Sequence, residues 1–162
     1  MAVTFSQNFE IFADYHQFYV QDENADLDIN QDLWGGTAVD DMLFVTPGMV
    51  HIGTARAMTV PIQLQVQTDE PEENFGLWDQ ITDSSLDVPS GRIVLCGPND
   101  YFPGCKRIDI APGTYRVRTF YGGLDSLSWD GLDGDDHYKI VLWPGSPVSP
   151  TVLKRRQPRI SQ

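Results

Sequence analysis

Three observations predict an all-β chain folded as an antiparallel two-sheet β-sandwich with long acidic loops. The clearest is residues 57–68, AMTVPIQLQVQT, where Met58, Val60, Ile62, Leu64 and Val66 alternate with Thr59, Pro61, Gln63, Gln65 and Gln67. A period of two marks a strand with one buried and one wet face. Second, short runs rich in β-branched and aromatic residues recur between Gly, Pro and Asp turns at roughly 10–20-residue spacing, the pattern of a sandwich. Third, no segment sustains a helical period beyond about two turns. At 162 residues and 41% apolar content, the chain has enough core for a single domain without staples.

The elements follow in order. NFEIFADYHQFYVQ (residues 8–21) reads as one long strand, or two broken near Asp14. DMLFVT and MVHIGTA flank the turn dipeptide Pro47-Gly48. Pro61 has no N–H to give a ladder, which predicts that its strand lies at a sheet edge or bulges there. GLWDQITDSSLDV is expected to be a strand running into a loop, and GRIVLCG, GTYRVRTFYGG and HYKIVLWPG are short strands bounded by Gly or Pro. LDVPSGRIVL (86–95) and IDIAPGTYRV (108–117) share a plan: apolar–Asp–apolar, a turn containing Pro and Gly, then a strand. Pro presets φ and Gly accepts positive φ, so the echo is a repeated turn device. Residues 146–162, rich in proline and basic residues, read as an extended C-terminal arm on a sandwich domain spanning 1–145.

Charge narrows the function. Acids outnumber bases 23 to 11, for a net charge of −12. No Lys or Arg precedes Arg56, whereas Glu10, Asp14, Asp22, Glu23, Asp26, Asp28, Asp32, Asp40 and Asp41 all do. Such a surface keeps a protein soluble. It also repels nucleic acid, whose binding rests on Lys and Arg neutralising phosphate. A basic protein partner would be attracted, its encounter speeded by roughly 10-fold or more at low salt. The candidate contact residues are Asp22, Glu23, Asp26, Asp28, Asp32, Asp40 and Asp41. No secretory signal and no run of the ~18 apolar residues that a membrane span needs are present, which predicts a soluble, cytoplasmic protein. Cys96 and Cys105 bracket a turn; a bridge across it is conceivable, and free thiols are the expectation in a reducing cytosol.

No catalytic constellation emerges, and the expectation is a non-enzymatic binding protein. His16, His51 and His137 lie far apart in sequence, with no nucleophile elbow; only a hydrolase assembled from distant histidines would bring them together. The alternative is a calcium-dependent binding module. The loop from Asp125 to Asp136 carries Asp130, Asp133, Asp135 and Asp136 with Gly131 and Gly134, and calcium takes six to eight oxygens from such loops. The same residues also build ordinary turns. The tryptophans are expected in the core, with Trp34 and Trp129 the exposed pair, a surface on which a sugar would stack. No phosphate-binding glycine fingerprint occurs.

Three patches in order, DYHQFYV, IAPGTYRVRTFY and DDHYKIVLW, resemble the competence protein J (ComJ) nuclease-inhibitor family. The resemblance implies a bacterial protein that binds and inhibits a DNA-acting nuclease, an acidic body occupying the enzyme's basic groove as a phosphate mimic. On an alternating strand, His16, Phe18 and Val20 share the core face, with Gln17 and Tyr19 outward.

Overall fold

The computed structural model describes residues 2–25 and 34–157. Among them are eleven strands in two sheets. The six-stranded sheet holds β1 (Val3–Phe12), β5 (Thr59–Gln67), β10 (His137–Pro144), β9 (Gly113–Gly122), β6 (Gln80–Val88) and β11 (Thr151–Lys154), in that spatial order. The five-stranded sheet holds β3 (Leu43–Thr46), β4 (Met49–Gly53), β2 (Gln17–Asp22), β7 (Arg92–Cys96) and β8 (Lys106–Asp109). Pairing is antiparallel except between β5 and β10, which run parallel. Between the sheets lies one apolar core that includes Phe18, Val20, Ile52, Leu64, Val117 and Ile140. No helix among the described residues is long and apolar enough to cross a membrane.

The alternation on β5 holds from Val60 to Val66, every second side chain being buried. Its place in the sheet differs from expectation. β5 is interior, flanked by β1 and β10, because the parallel ladder to β10 starts only at the Tyr138–Ile62 rung. Pro61 lies one residue before that rung, opposite Glu10, where its missing donor costs no ladder bond on that side. β6 follows its loop instead of leading into one. β8 emerges from a segment read only as a turn device, and Thr151–Lys154 of the C-terminal arm pairs with β6.

The chain crosses between the sheets four times, in two pairs. At one end, residues 13–16 carry β1 into β2 and residues 54–58 carry β4 into β5. These two crossings bond to each other: the Ala13 N–H donates to the Met58 carbonyl (3.0 Å) and the Thr54 N–H to the His16 carbonyl (2.9 Å). At the other end are the two echoed turns, β6 to β7 and β8 to β9. Here the Ile110 N–H donates to the Gly91 carbonyl (3.0 Å). Gly91 has φ 71°, and a Cβ there would meet the Ile110 oxygen at 3.1 Å, so only glycine fits. The repeated sequence plan is thus the device that changes sheets.

Each end is anchored by a buried carboxylate. Asp22, 3% exposed, accepts bonds from the Ser90 N–H (3.1 Å) and hydroxyl (2.5 Å) and from the Asn24 N–H (3.0 Å). Asp136, fully buried, accepts from Arg56 Nε (2.5 Å) and the Tyr138 hydroxyl (2.7 Å). That hydroxyl in turn accepts the Ala55 N–H (2.7 Å), fixing the 54–58 crossing against the start of β10. Removing one partner of a buried ion pair strands the other charge, at a cost of about 3–5 kcal/mol. Urea unfolding of Asp136→Ala is expected to show a loss in that range. The double variant R56M/D136L is expected to recover most of it.

Candidate functional site

The first end of the sandwich opens into a cleft of about 1010 Å³. Its walls include Tyr15, His16, Trp34, Val39, Asp40 and Met42. Tyr15 (φ 57°), His16 (φ 60°) and Met42 (φ 56°) are the non-glycine residues with positive φ among those described, and all three line this cleft. A left-handed backbone costs an L-residue about 1–2 kcal/mol, and such strain persists only where the surroundings over-determine it. They do so here. The Tyr15 N–H bonds the Asp14 carboxylate (3.0 Å), which also receives the Asn99 amide. The Met42 carbonyl accepts the Tyr121 hydroxyl (2.6 Å) and the Gly53 N–H (2.9 Å). A Cβ at Gly53 would sit 3.1 Å from Met42 Cα, a tight contact that would push the two wall segments apart by a few tenths of an ångström.

His16 therefore stands where an alternating strand would not put it. The strand breaks at Asp14–His16, a single turn with Tyr15 and His16 left-handed, and His16 is exposed, its Nδ1 3.3 Å from the Thr54 carbonyl. Phe18 and Val20 do face the core. Tyr19 points away from it but is buried in a second cluster with Met49, Val94 and Cys96 on the outer face of the five-stranded sheet. Around the cleft mouth, Tyr15 is 71% and Val39 63% exposed. Trp34 is fixed by its Nε1–H bond to Gln17 Oε1 (2.6 Å) and its edge against Phe44. Trp129 is 98% exposed, far more so than Trp34.

The seven acidic candidates separate. Asp26, Asp28 and Asp32 lie outside the described residues. Asp22 is the buried anchor of the opposite end. Glu23 accepts from Arg92 Nη1 (3.3 Å) and Arg107 Nε (3.1 Å). Asp41 accepts from Arg155 (2.7 Å), so the basic arm folds back onto it, and the next residue, Arg156, reaches Asp125 (2.5 Å). Asp40 lies exposed on the cleft wall, its carbonyl held by Gln80. Sequence spacing shows acids but cannot show which arginine a fold delivers to each.

The Asp-rich loop is held by its own bonds. Asp130 accepts from the Ser128 hydroxyl (2.6 Å) and the Leu132 N–H (3.1 Å), which hold its carboxyl below the usual carboxylate range. Asp136 is committed to Arg56 and Tyr138. The Asp133 carbonyl accepts the Ser128 N–H (2.7 Å), and the Asp135 carbonyl bonds His137 Nδ1 (2.8 Å). Among the described residues no three His, Cys, Asp or Glu side chains converge as a metal would need. The histidines line no common site either. His16 is in the large cleft, and His137 lines a separate recess beside Trp78. His51 is buried under Tyr19 and stacked on Phe44 at 4.1 Å.

Neither a protein-family model nor a curated protein matches the sequence. Solved structures do. The fold is that of ComJ. The ComJ of Bacillus subtilis, described as an inhibitor of the DNA degrading activity of NucA, superposes with a TM-score of 0.66 at 17% identity, covering 90% of this chain and 100% of its own. A second match is the crocagin biosynthetic gene J product, with a TM-score of 0.59, 18% identity and the same coverage. At these identities the likeness speaks for architecture. The architecture extends the resemblance seen in three short patches to nine-tenths of the chain.

Burial pushes the His51 imidazole down to about 4. The unfolded chain binds that proton near 6.5 and the folded chain does not. Stability from His51 is therefore complete above about pH 6.5 and is lost as pH falls toward 4, by on the order of 3 kcal/mol. Urea midpoints measured from pH 7.5 to 4 are expected to fall along this slope. In His51→Phe that part of the slope should be missing.

Proposed function

We propose that this chain is a non-enzymatic, acidic binding protein that inhibits a nuclease by covering a basic surface of the enzyme. The observation that carries the reading is the ComJ architecture over nearly the whole chain, joined to a net charge of −12. A DNA-cleaving enzyme must present cationic side chains to phosphate, and those same side chains attract an acidic body.

Internal pairing sharpens the charge argument. Every arginine among the described residues faces a carboxylate: Arg56, Arg92, Arg107, Arg116, Arg118, Arg155 and Arg156 are all in ion pairs. The excess that reaches solvent is therefore negative. The contact surface we infer is the cleft mouth, where exposed Tyr15 and Val39 supply apolar area beside the Asp40 carboxylate; Asp26, Asp28 and Asp32 join the proposal from the sequence alone. A few exposed aromatic anchors ringed by charge are what a protein–protein interface uses. The partner would be met in the cytoplasm.

The test uses the protein immobilised against lysate of its native host, washed at low and high salt, with the captured protein then assayed for DNA cleavage. Capture of a basic nuclease, released by salt and inhibited by the added protein, is the expected result. Charge reversal in Asp40→Lys is expected to slow association several-fold while leaving dissociation nearly unchanged, since exposed charges act chiefly on the encounter rate. Binding indifferent to salt and to Asp40, or a captured nuclease that cleaves at full rate, would reject the proposal.

A further inference from the structure

The β7–β8 hairpin carries the chain's two cysteines, Cys96 at the end of one strand and Cys105 just before the other. Its register pairs Arg92 with Asp109 and runs through Leu95 with Lys106. Continuing that register by one rung, past the start of β8, sets Cys96 opposite Cys105. The type of that rung is set by the hydrogen bonds on either side. The Ile110 N–H bonds the Gly91 carbonyl, and in an antiparallel ladder bonded and non-bonded rungs alternate. Counting from Gly91 and Ile110, the cysteine rung falls on a non-bonded position. The Cys105 N–H agrees, since it turns back to the Phe102 carbonyl (3.1 Å) instead of crossing to Cys96. Facing Cα atoms at such a rung lie roughly 4.5 Å apart, within the span a disulfide bridges.

Both cysteines are free thiols, Cys105 Sγ donates to the Tyr101 carbonyl (3.6 Å), and Cys105 packs against the cluster that contains Cys96. Cys105 is the more accessible of the two, since Cys96 is only 5% exposed. Cys105, half-buried, lines one recess with Tyr101 and Gly104, and Cys96 lines another with Met49 and Pro98.

We propose that Cys96 and Cys105 are a reversible redox modification site, closed into a hairpin disulfide by exchange with a small-molecule disulfide of the glutathione class. The more exposed Cys105 thiolate attacks one sulfur of oxidised glutathione and expels one glutathione thiolate, leaving a mixed disulfide. Cys96 loses its proton to solvent, attacks the Cys105 sulfur and expels the second glutathione thiolate. Two protein thiols are oxidised and one glutathione disulfide is reduced to two thiols. Burial raises both thiols above their ordinary range, so exchange quickens as pH rises above neutral.

The bridge would act on the loop it closes. That loop exposes Tyr101, caps the Gly97 N–H with Asp100 (2.8 Å), and bonds through Asn99 to Asp14, whose carboxylate also holds the Tyr15 N–H. Oxidation therefore stiffens the support of the strained turn on the cleft wall.

The test is intact-mass analysis of the reduced full-length protein after incubation with oxidised glutathione at mildly alkaline pH and an acid quench. The wild type is expected to lose two hydrogens and carry no glutathione, and dithiothreitol should reverse this. The oxidised form should melt at a higher temperature. Cys96→Ser is expected to retain one glutathione on Cys105, and Cys105→Ser to take up far less. Because the wild-type mass is the primary readout, the result stands even if the buried Cys96 variant folds poorly. A wild type that accumulates the glutathione adduct, or stays reduced while the same reagent oxidises the urea-unfolded chain, would overturn the proposal.

Discussion

The fully buried carboxylate of Asp136 is the interaction on which the rest of this structure depends. Of the four crossings between the sheets, the one over residues 54–58 buries Thr54 and Arg56, and buried N–H and carbonyl groups need partners. At the cleft end that need is met through one side chain. Asp136 orders Arg56 and the Tyr138 hydroxyl, and Tyr138 orders the Ala55 amide. The Thr54 hydroxyl closes the circuit by donating to the Arg56 carbonyl (2.7 Å). A charge in so dry a place is costly alone, so each member is held by the need of the others. At the far end Asp22 does a smaller version of the same work for the Ser90 turn.

The cleft is a consequence of that anchoring. Gly53, Thr54 and Ala55 form part of its wall, and they stay in place because the crossing they belong to cannot relax. The turn carrying Tyr15 and His16 bonds to that crossing, which is why two successive residues tolerate a left-handed backbone. The turn has a visible result: His16, which an uninterrupted strand in step with Phe18 and Val20 would place in the core, stands exposed beside Tyr15. A rigid floor beneath an exposed aromatic suits recognition, because little side-chain and loop entropy remains to be lost on binding.

Much of this fold was legible in the residues. The alternation on β5, the Pro47-Gly48 hairpin, the break near Asp14 and the two echoed turns all lie in local sequence, where the period of side chains and the φ preferences of Pro and Gly act directly. What stayed hidden was non-local. Pro61 suggested an edge because a single sequence does not show that the neighbouring strand begins one residue later. Asp136 looked like one of several loop acids, since nothing nearby in sequence announces that Arg56, eighty residues away, would meet it. His16 was misplaced by extending a strand period through a turn. For a strictly alternating reading, the Ala13-Asp14 step was the available warning, because Asp favours turns over strand interiors. The acidic surface was read from counts, and counts hide pairing: Glu23 and Asp41 are as acidic in sequence as Asp40, yet both face arginines.

That pairing also links fold to function. The arginines among the described residues are paired within the molecule, holding hairpins, loops and the C-terminal arm, and this leaves the net surface excess acidic, as the proposed binding role requires. Native-state hydrogen exchange of the Ala55 amide tests most directly whether Asp136, through Tyr138, locks the crossing. The amide is predicted to exchange only through global unfolding, with the same free energy and denaturant dependence as the slowest core amides. Exchange through a local opening, faster than the core by orders of magnitude and insensitive to denaturant, would contradict it.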